Sequence, residues 1–216
     1  MTDGYDAPDI ADLVVRKTEA VRNDPRRIED FIPPDALQPT LVAVAAAGER
    51  VLDFGGAAGF HYLTAARAYP ERALRWAVVE HPVTVERAKR LEGENLRFFA
   101  AIDDAMQWLG GIDLLHSNGA LQCLDAPEST LERLLALPAR HILWARTLLG
   151  ENRARENLTA PLSAHGPGPA PAGLVDRDVT HALVRMSRAG FLAAHKGFRL
   201  MWESDDSFLF VREDAG

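Results

Sequence analysis

Cysteine is the scarcest residue of this chain: Cys123 stands alone among 216 residues. One thiol excludes an internal disulfide and a multi-cysteine zinc site within a single chain; no metal ligand set is expected. Long apolar runs are missing too. Nothing reaches the roughly 18 residues that a membrane span requires, so no membrane partner is expected. There is no basic excess: 24 Lys and Arg face 31 Asp and Glu, a formal net charge of -7. A nucleic-acid surface usually leaves a basic footprint, and no nucleic-acid partner is expected. The opening Met1-Thr-Asp-Gly-Tyr-Asp6 is acidic and lacks the charged-then-apolar build of a signal segment, which makes the cytoplasm the expected compartment. Repeats and low-complexity blocks are absent, apart from a Gly/Pro stretch at 166–173.

What is there is ordinary for a globular chain: 47% apolar and 25% charged residues, enough for one domain with a sizeable core. Residues 9–23 set Ile10, Leu13, Val14 and Val21 near helical spacing, with Asp9 able to cap the start. Pro25, Pro33 and Pro34 interrupt the chain, and a second helix, made irregular by Pro39, runs from Asp35 to Ala47. Residues 1–47 read as a helical cap. From Glu49 onward apolar strands alternate with helices. Strands at 50–54, 74–80, 96–100, 111–116 and 140–146 are separated by helices at 59–69, 83–92, 103–109 and 127–136. That alternation predicts parallel pairing by right-handed crossovers, hence an α/β, doubly wound sheet. Residues 151–178 show no periodicity and read as a substrate loop. A helix is predicted over 178–189, stopped by Gly190. Two apolar segments, 198–202 and 207–211, predict a terminal hairpin.

Chemistry concentrates after the first strand. Val51-Leu-Asp-Phe-Gly-Gly-Ala-Ala-Gly59 delivers Asp53 to a turn holding Gly55, Gly56 and Gly59, and a helix follows. Glycines let a ligand approach the backbone, and a helix N-terminus presents unpaired N–H groups. An acid at that strand end would repel a pyrophosphate and suits a cationic ligand. Glu80 ends the next strand, where an acid can accept both ribose hydroxyls of an adenosine. Ala101-Ile-Asp-Asp104 closes the third strand, and Asp113-Leu-Leu-His-Ser-Asn-Gly-Ala-Leu-Gln122 carries the fourth into a polar loop. All four fall at the carboxyl edge of the expected sheet, where open α/β folds bind ligands.

These residues resemble class I S-adenosylmethionine-dependent methyltransferases, over about residues 4–146. More narrowly they resemble a bacterial methyltransferase family sharing L-D-F-G-G, a tryptophan before V-V-E, and S-N-x-x-L-Q; Gly4-Tyr-Asp and Val14-Val-Arg-Lys-Thr18 are similar to its N-terminal helix. The resemblance implies a mostly parallel seven-stranded sheet with a C-terminal antiparallel hairpin and S-adenosyl-L-methionine as cofactor. By position it implies Asp53, Gly55 and Gly59 at the methionine end, Glu80 at the ribose and Asp103 near adenine. Gly56, His81, Ile102 and Asn118 complete the cofactor set, and Asn118 to Gln122 lie where cofactor meets acceptor. The 151–178 region departs from that family's pattern.

The expected reaction is methyl transfer to a small molecule, with an oxygen of a sugar or other metabolite as acceptor. No Asn-Pro-Pro-Tyr-type segment follows strand four, which argues against amino-group methylation of nucleic acids. An oxygen acceptor of high pKa needs a base; His116, His61 and Asp125 are the candidates, and Gln122 and His165 are candidate substrate contacts. Cys123, Trp76 and Trp144 read as packing residues. A nicotinamide-dependent oxidoreductase and a non-catalytic cofactor-binding partner are the alternatives, and the oligomeric state is left open.

Overall fold

The computed structural model describes residues 7–24 and 34–213; Gly4–Asp6, Pro25 and Pro33 of the sequence reading lie outside them. Helices α1 (Pro8–Asn23) and α2 (Pro34–Ala46) precede the first strand. Proline at the first helical position of α1 suits a site whose N–H would be orphaned anyway. Ala7, not Asp9, occupies the cap position; Asp9 lies in the first turn and takes Arg177 as partner. The buried stripe of α1 runs through Ile10, Leu13, Val14 and Val21, and it includes Lys17 and Thr18. Pro39 does lie inside α2.

Strands β1 (Arg50–Phe54), β2 (Arg75–Val79), β3 (Leu96–Phe99), β4 (Leu114–Asn118) and β5 (His141–Ala145) alternate with α3 (Phe60–Ala68), α4 (Pro82–Ala88), α5 (Ile102–Leu109) and α6 (Pro127–Leu135). Farther on come β6 (Leu149–Gly150), β7 (Ala154–Pro161), β8 (Asp178–Ser187), α7 (Arg188–Ala194), β9 (Phe198–Glu203) and β10 (Phe208–Arg212). The main sheet has seven strands in the order β3-β2-β1-β4-β5-β10-β9. β1 to β5 pair in parallel, and β10 runs antiparallel to both β5 and β9. The doubly wound sheet with its terminal hairpin is therefore present.

Residue parity sorts the two faces, as strand geometry requires. Val51, Trp76, Val78, Leu114 and Leu143 enter one core with α1, α2 and α3; Leu52, Ala77, Leu115, Ile142 and Trp144 enter the other with α5, α6 and α7. Asp53 and His116 sit side by side in register on the first face.

The region 151–187 differs from expectation. β7 pairs with β8 along its whole length, and β6 joins β8 in a separate three-stranded sheet. β7 is exposed nearly throughout, so its composition carries no apolar alternation to betray a strand. The predicted helix at 178–189 is β8, which buries Val179, His181, Val184 and Met186. Gly190 does not end a helix. It lies in the first turn of α7, where its N–H donates to the capping Ser187 Oγ. β8 packs over the turn 121–123 that follows β4, at the carboxyl edge of the main sheet. Among the described residues no helix is long and apolar enough to cross a membrane.

Candidate functional site

The chain order of the sheet reverses between β1 and β4, so the carboxyl ends of these strands flank the crevice where such folds bind ligands. The turn after β1 is built on left-handed backbone, with φ of +70° at Gly55 and +77° at Gly59. A Cβ on Gly55 would come within 2.2 Å of Ala120 Cβ, in the loop after β4. The Gly55 backbone thus packs directly against the Ala120 methyl, which only glycine permits here. Ala57, with φ of +49°, holds a conformation rare outside glycine. Its N–H donates to Glu80 Oε1 (3.2 Å), and His81 N–H donates to Glu80 Oε2 (2.8 Å). Burial pushes the Glu80 carboxyl above its usual range, and those two N–H groups pull it back in part. Beside the ends of β1 and β2 opens a cleft of about 310 Å³ lined by Phe54, Val79, Ala100 to Asp103 and Arg133. Ile102 and Asp103 are therefore at a cavity wall, His81 is exposed at the start of α4, and Asn118 is half-buried at the end of β4.

Asp53 departs from its expected role. It is 0% exposed, its Oδ2 accepts from Trp76 Nε1 (2.9 Å), and its Oδ1 bonds His116 Nδ1 (2.7 Å). A Cβ on Gly56 would lie 2.3 Å from Asp53 Oδ2, so the glycine turn itself roofs the carboxylate. The acid lies beneath the turn and has no face for a ligand. Burial pushes its carboxyl up, but the charge and hydrogen bond of His116, with His61 and Trp76, outweigh that and hold it below the ordinary value.

His116 departs as well. It is 0% exposed, and both ring nitrogens are engaged, Nε2 with Thr40 Oγ1 at 3.0 Å. A base that touches an acceptor cannot be sealed in this way. His61, in the first turn of α3, is half-buried; its Nδ1 bonds the same Thr40 Oγ1 at 3.3 Å. Its ring lies 4.9 Å from that of His116. Burial, with His116 and Arg146 nearby, pushes the His61 imidazole down to about 3 against the pull of Asp53. Arg146 follows β5 with φ of +50°, its N–H donating to Ser207 Oγ. Gln122 Nε2 donates to Arg146 O (2.9 Å), while Gln122 Oε1 is buried with no hydrogen-bond partner among the described residues.

Three other expectations change. Asp125 is exposed and pairs with Arg155, away from a base's task. His165 is buried at 7% exposure, its Nδ1 at 3.1 Å from Leu162 O and its ring against His181; it is a packed residue of the β7–β8 connection. Trp76 is more than packing, since it donates to Asp53. Thr40 was not anticipated at all. The signal that could have found it is that two polar residues, Asp53 and His116, stand at core-facing positions of buried strands and need partners.

No protein-family model matches the chain, and no curated protein matches it in sequence. Solved structures match in fold. The CcbJ methyltransferase from Streptomyces caelestis aligns with a TM-score of 0.59 at 12% identity, over 95% of this chain and 98% of its own. The sugar N-methyltransferase KedS8 from Streptoalloteichus aligns with a TM-score of 0.52 at 16% identity, over 91% of each chain. The 1,6-didemethyltoxoflavin-N1-methyltransferase of Burkholderia thailandensis, solved with that substrate and S-adenosylhomocysteine, aligns with a TM-score of 0.50 at 16% identity, over 96% of this chain and 91% of its own. The fold is that of the class I methyltransferases.

Proposed function

We propose that the chain is an S-adenosylmethionine-dependent methyltransferase acting on a hydroxyl of a small molecule, a sugar or similar metabolite, in the cytoplasm and as a single catalytic unit. One observation carries the cofactor assignment: a left-handed glycine turn with no room for a Cβ and the Glu80 carboxylate meet at the carboxyl edge of this sheet, and Ala57 N–H ties them together. The residues fit the group. Gly55, Gly56 and Gly59 would admit its amino-acid end, Glu80 and His81 its ribose, and the cleft at Ile102 and Asp103 its adenine, with Asn118 toward the acceptor. The cofactor supplies an activated methyl group on a sulfonium. The chain's residues bind, orient and exclude water, the main levers for such a displacement.

An oxygen acceptor is favoured because His61, and not the sealed His116, can serve as base at the open end of a buried polar chain. The two neighbours named for sugar and toxoflavin methylation support a small-molecule acceptor. The L-D-F-G-G motif and the S-N-x-x-L-Q segment support the narrower bacterial family. Isothermal calorimetry tests the cofactor reading. S-adenosylhomocysteine should bind and NAD should not, and Glu80→Gln should weaken S-adenosylhomocysteine by about 10- to 100-fold, the worth of hydrogen bonds to a charged group. Binding of NAD alone would overturn the reading. Binding without methyl transfer to any hydroxyl compound of the host's metabolite extract would instead favour a non-catalytic role.

A further inference from the structure

We propose that Asp53, His116, Thr40 and His61 form a proton relay that carries the acceptor's proton from the open face of the site into the core, with the positive charge ending on His116 beside Asp53. The inference rests on the methyltransferase reading for the identity of the acceptor, and on geometry alone for the relay.

The contacts run unbroken from sheet to cap: Asp53 Oδ1 to His116 Nδ1 at 2.7 Å, His116 Nε2 to Thr40 Oγ1 at 3.0 Å, and Thr40 Oγ1 to His61 Nδ1 at 3.3 Å. Only one assignment of protons satisfies every contact with neutral rings. His116 Nδ1–H donates to Asp53, Thr40 O–H donates to His116 Nε2, and His61 Nδ1–H donates to Thr40 Oγ1. All donors then point the same way, which polarises the chain cooperatively. His61 Nε2 is left with a lone pair and makes no hydrogen bond among the described residues.

Each step balances. As the acceptor oxygen bonds the methyl carbon, whose bond to the sulfonium sulfur breaks with its electron pair going to sulfur, its O–H proton passes to His61 Nε2. His61 releases its Nδ1 proton to Thr40 Oγ, and Thr40 releases its own hydroxyl proton to His116 Nε2. His61 ends neutral with its proton on the other nitrogen, Thr40 ends unchanged, and His116 ends as the imidazolium. Asp53 stays ionised throughout and Trp76 Nε1–H holds its second oxygen.

The arrangement resolves a contradiction in the site. Protonating His61 alone is opposed by burial and by the neighbouring His116 and Arg146, so the ring would be a poor base by itself. His116 from β4, Asp53 from β1 and Arg146 after β5 are the titratable and charged groups that face it, and Asp53 also faces Glu80. Handing the proton on moves the charge away from Arg146 and next to the buried Asp53 carboxylate, which balances it. His61 is the catalytic residue in this scheme; Thr40, His116 and Asp53 are positioning residues acting through it.

Nitrogen-15 NMR of histidine-labelled protein reads the tautomers directly. In wild type, protonation of His116 should coincide with a switch of His61 from the Nδ1–H to the Nε2–H tautomer, seen as an exchange of its two ring nitrogen signals. Thr40→Ser should keep that coupling. Thr40→Val, which retains the shape without the hydroxyl, should abolish it. A His61 that keeps its Nδ1–H tautomer over the whole pH range of the folded wild type overturns the relay, as does a switch that persists in Thr40→Val. Failure of wild type to bind S-adenosylhomocysteine removes the methyltransferase reading and leaves the tautomer result standing, so the two failures are distinguishable.

Discussion

Asp53 shows how one carboxylate can invert its expected meaning. With both oxygens engaged at 0% exposure, Asp53→Ala would strand the His116 ring and Trp76 Nε1 in the core. Leaving a buried donor unsatisfied costs about 1–3 kcal/mol, and two are stranded here, so urea unfolding should show a large loss of stability before any ligand is added. His195 sets a second residue-scale expectation. It accepts from Trp144 Nε1 (2.7 Å), donates from Nδ1 to Phe191 O (2.8 Å), and burial pushes it down to about 4. The unfolded ring titrates near 6.5, so between those values the unfolded state binds the extra proton. Its stabilisation is complete above about 6.5 and is lost as pH falls toward 4, on the order of 3 kcal/mol. His61 acts in the same direction, and Asp53 follows at lower pH because its carboxyl lies below the ordinary value. Urea midpoints should therefore fall steadily from pH 7 to 4.5. The polar identities at 53 and 116 were legible from sequence, but their pairing was not. Trp76 and His116 reach Asp53 across 23 and 63 residues, and the contact depends on strand register. Composition does not encode that register.

At the scale of elements, the strand-helix alternation from β1 to β5 and the closing hairpin were legible because each strand is apolar and bounded by turn residues. The insertion was not. β7 has two exposed faces, and β8 breaks its alternation between His181 and Val184, so neither carries the period that marks a half-buried strand. The glycine turn was legible for the opposite reason, since its geometry has few residue solutions. Gly55→Ala should show this, combining a φ of +70° with a Cβ 2.2 Å from Ala120. Strain of about 1–3 kcal/mol predicts a loss of roughly 10-fold or more in S-adenosylhomocysteine affinity. Ala120→Gly in the same chain relieves the clash but not the left-handed backbone, and calorimetry should show only partial recovery.

Across the whole molecule, α1 is fastened to the β7–β8 connection. Lys17 Nζ donates to Ser163 O (2.7 Å), and Arg177 pairs with Asp9 (2.6 Å). Burial holds the Lys17 ammonium below its ordinary value, with Asp176 pulling the other way. Lys17→Met should remove a charge-assisted hydrogen bond worth about 1.5–3 kcal/mol. Amide exchange in 162–177 should accelerate about 10-fold or more, while β1 and β4 stay protected. The same fastening has a consequence for biosynthesis. Lys17 leaves the ribosome 146 residues before the Ser163 carbonyl that it binds, and Asp9 leaves 168 residues before Arg177. The first helix made can thus seat on α4, where Asp12 pairs with Arg87 (2.6 Å), long before it meets the β7–β8 connection. The contacts on that side must wait until most of the chain has emerged, so a nascent chain stalled short of residue 163 would hold α1 by its α4 partners alone.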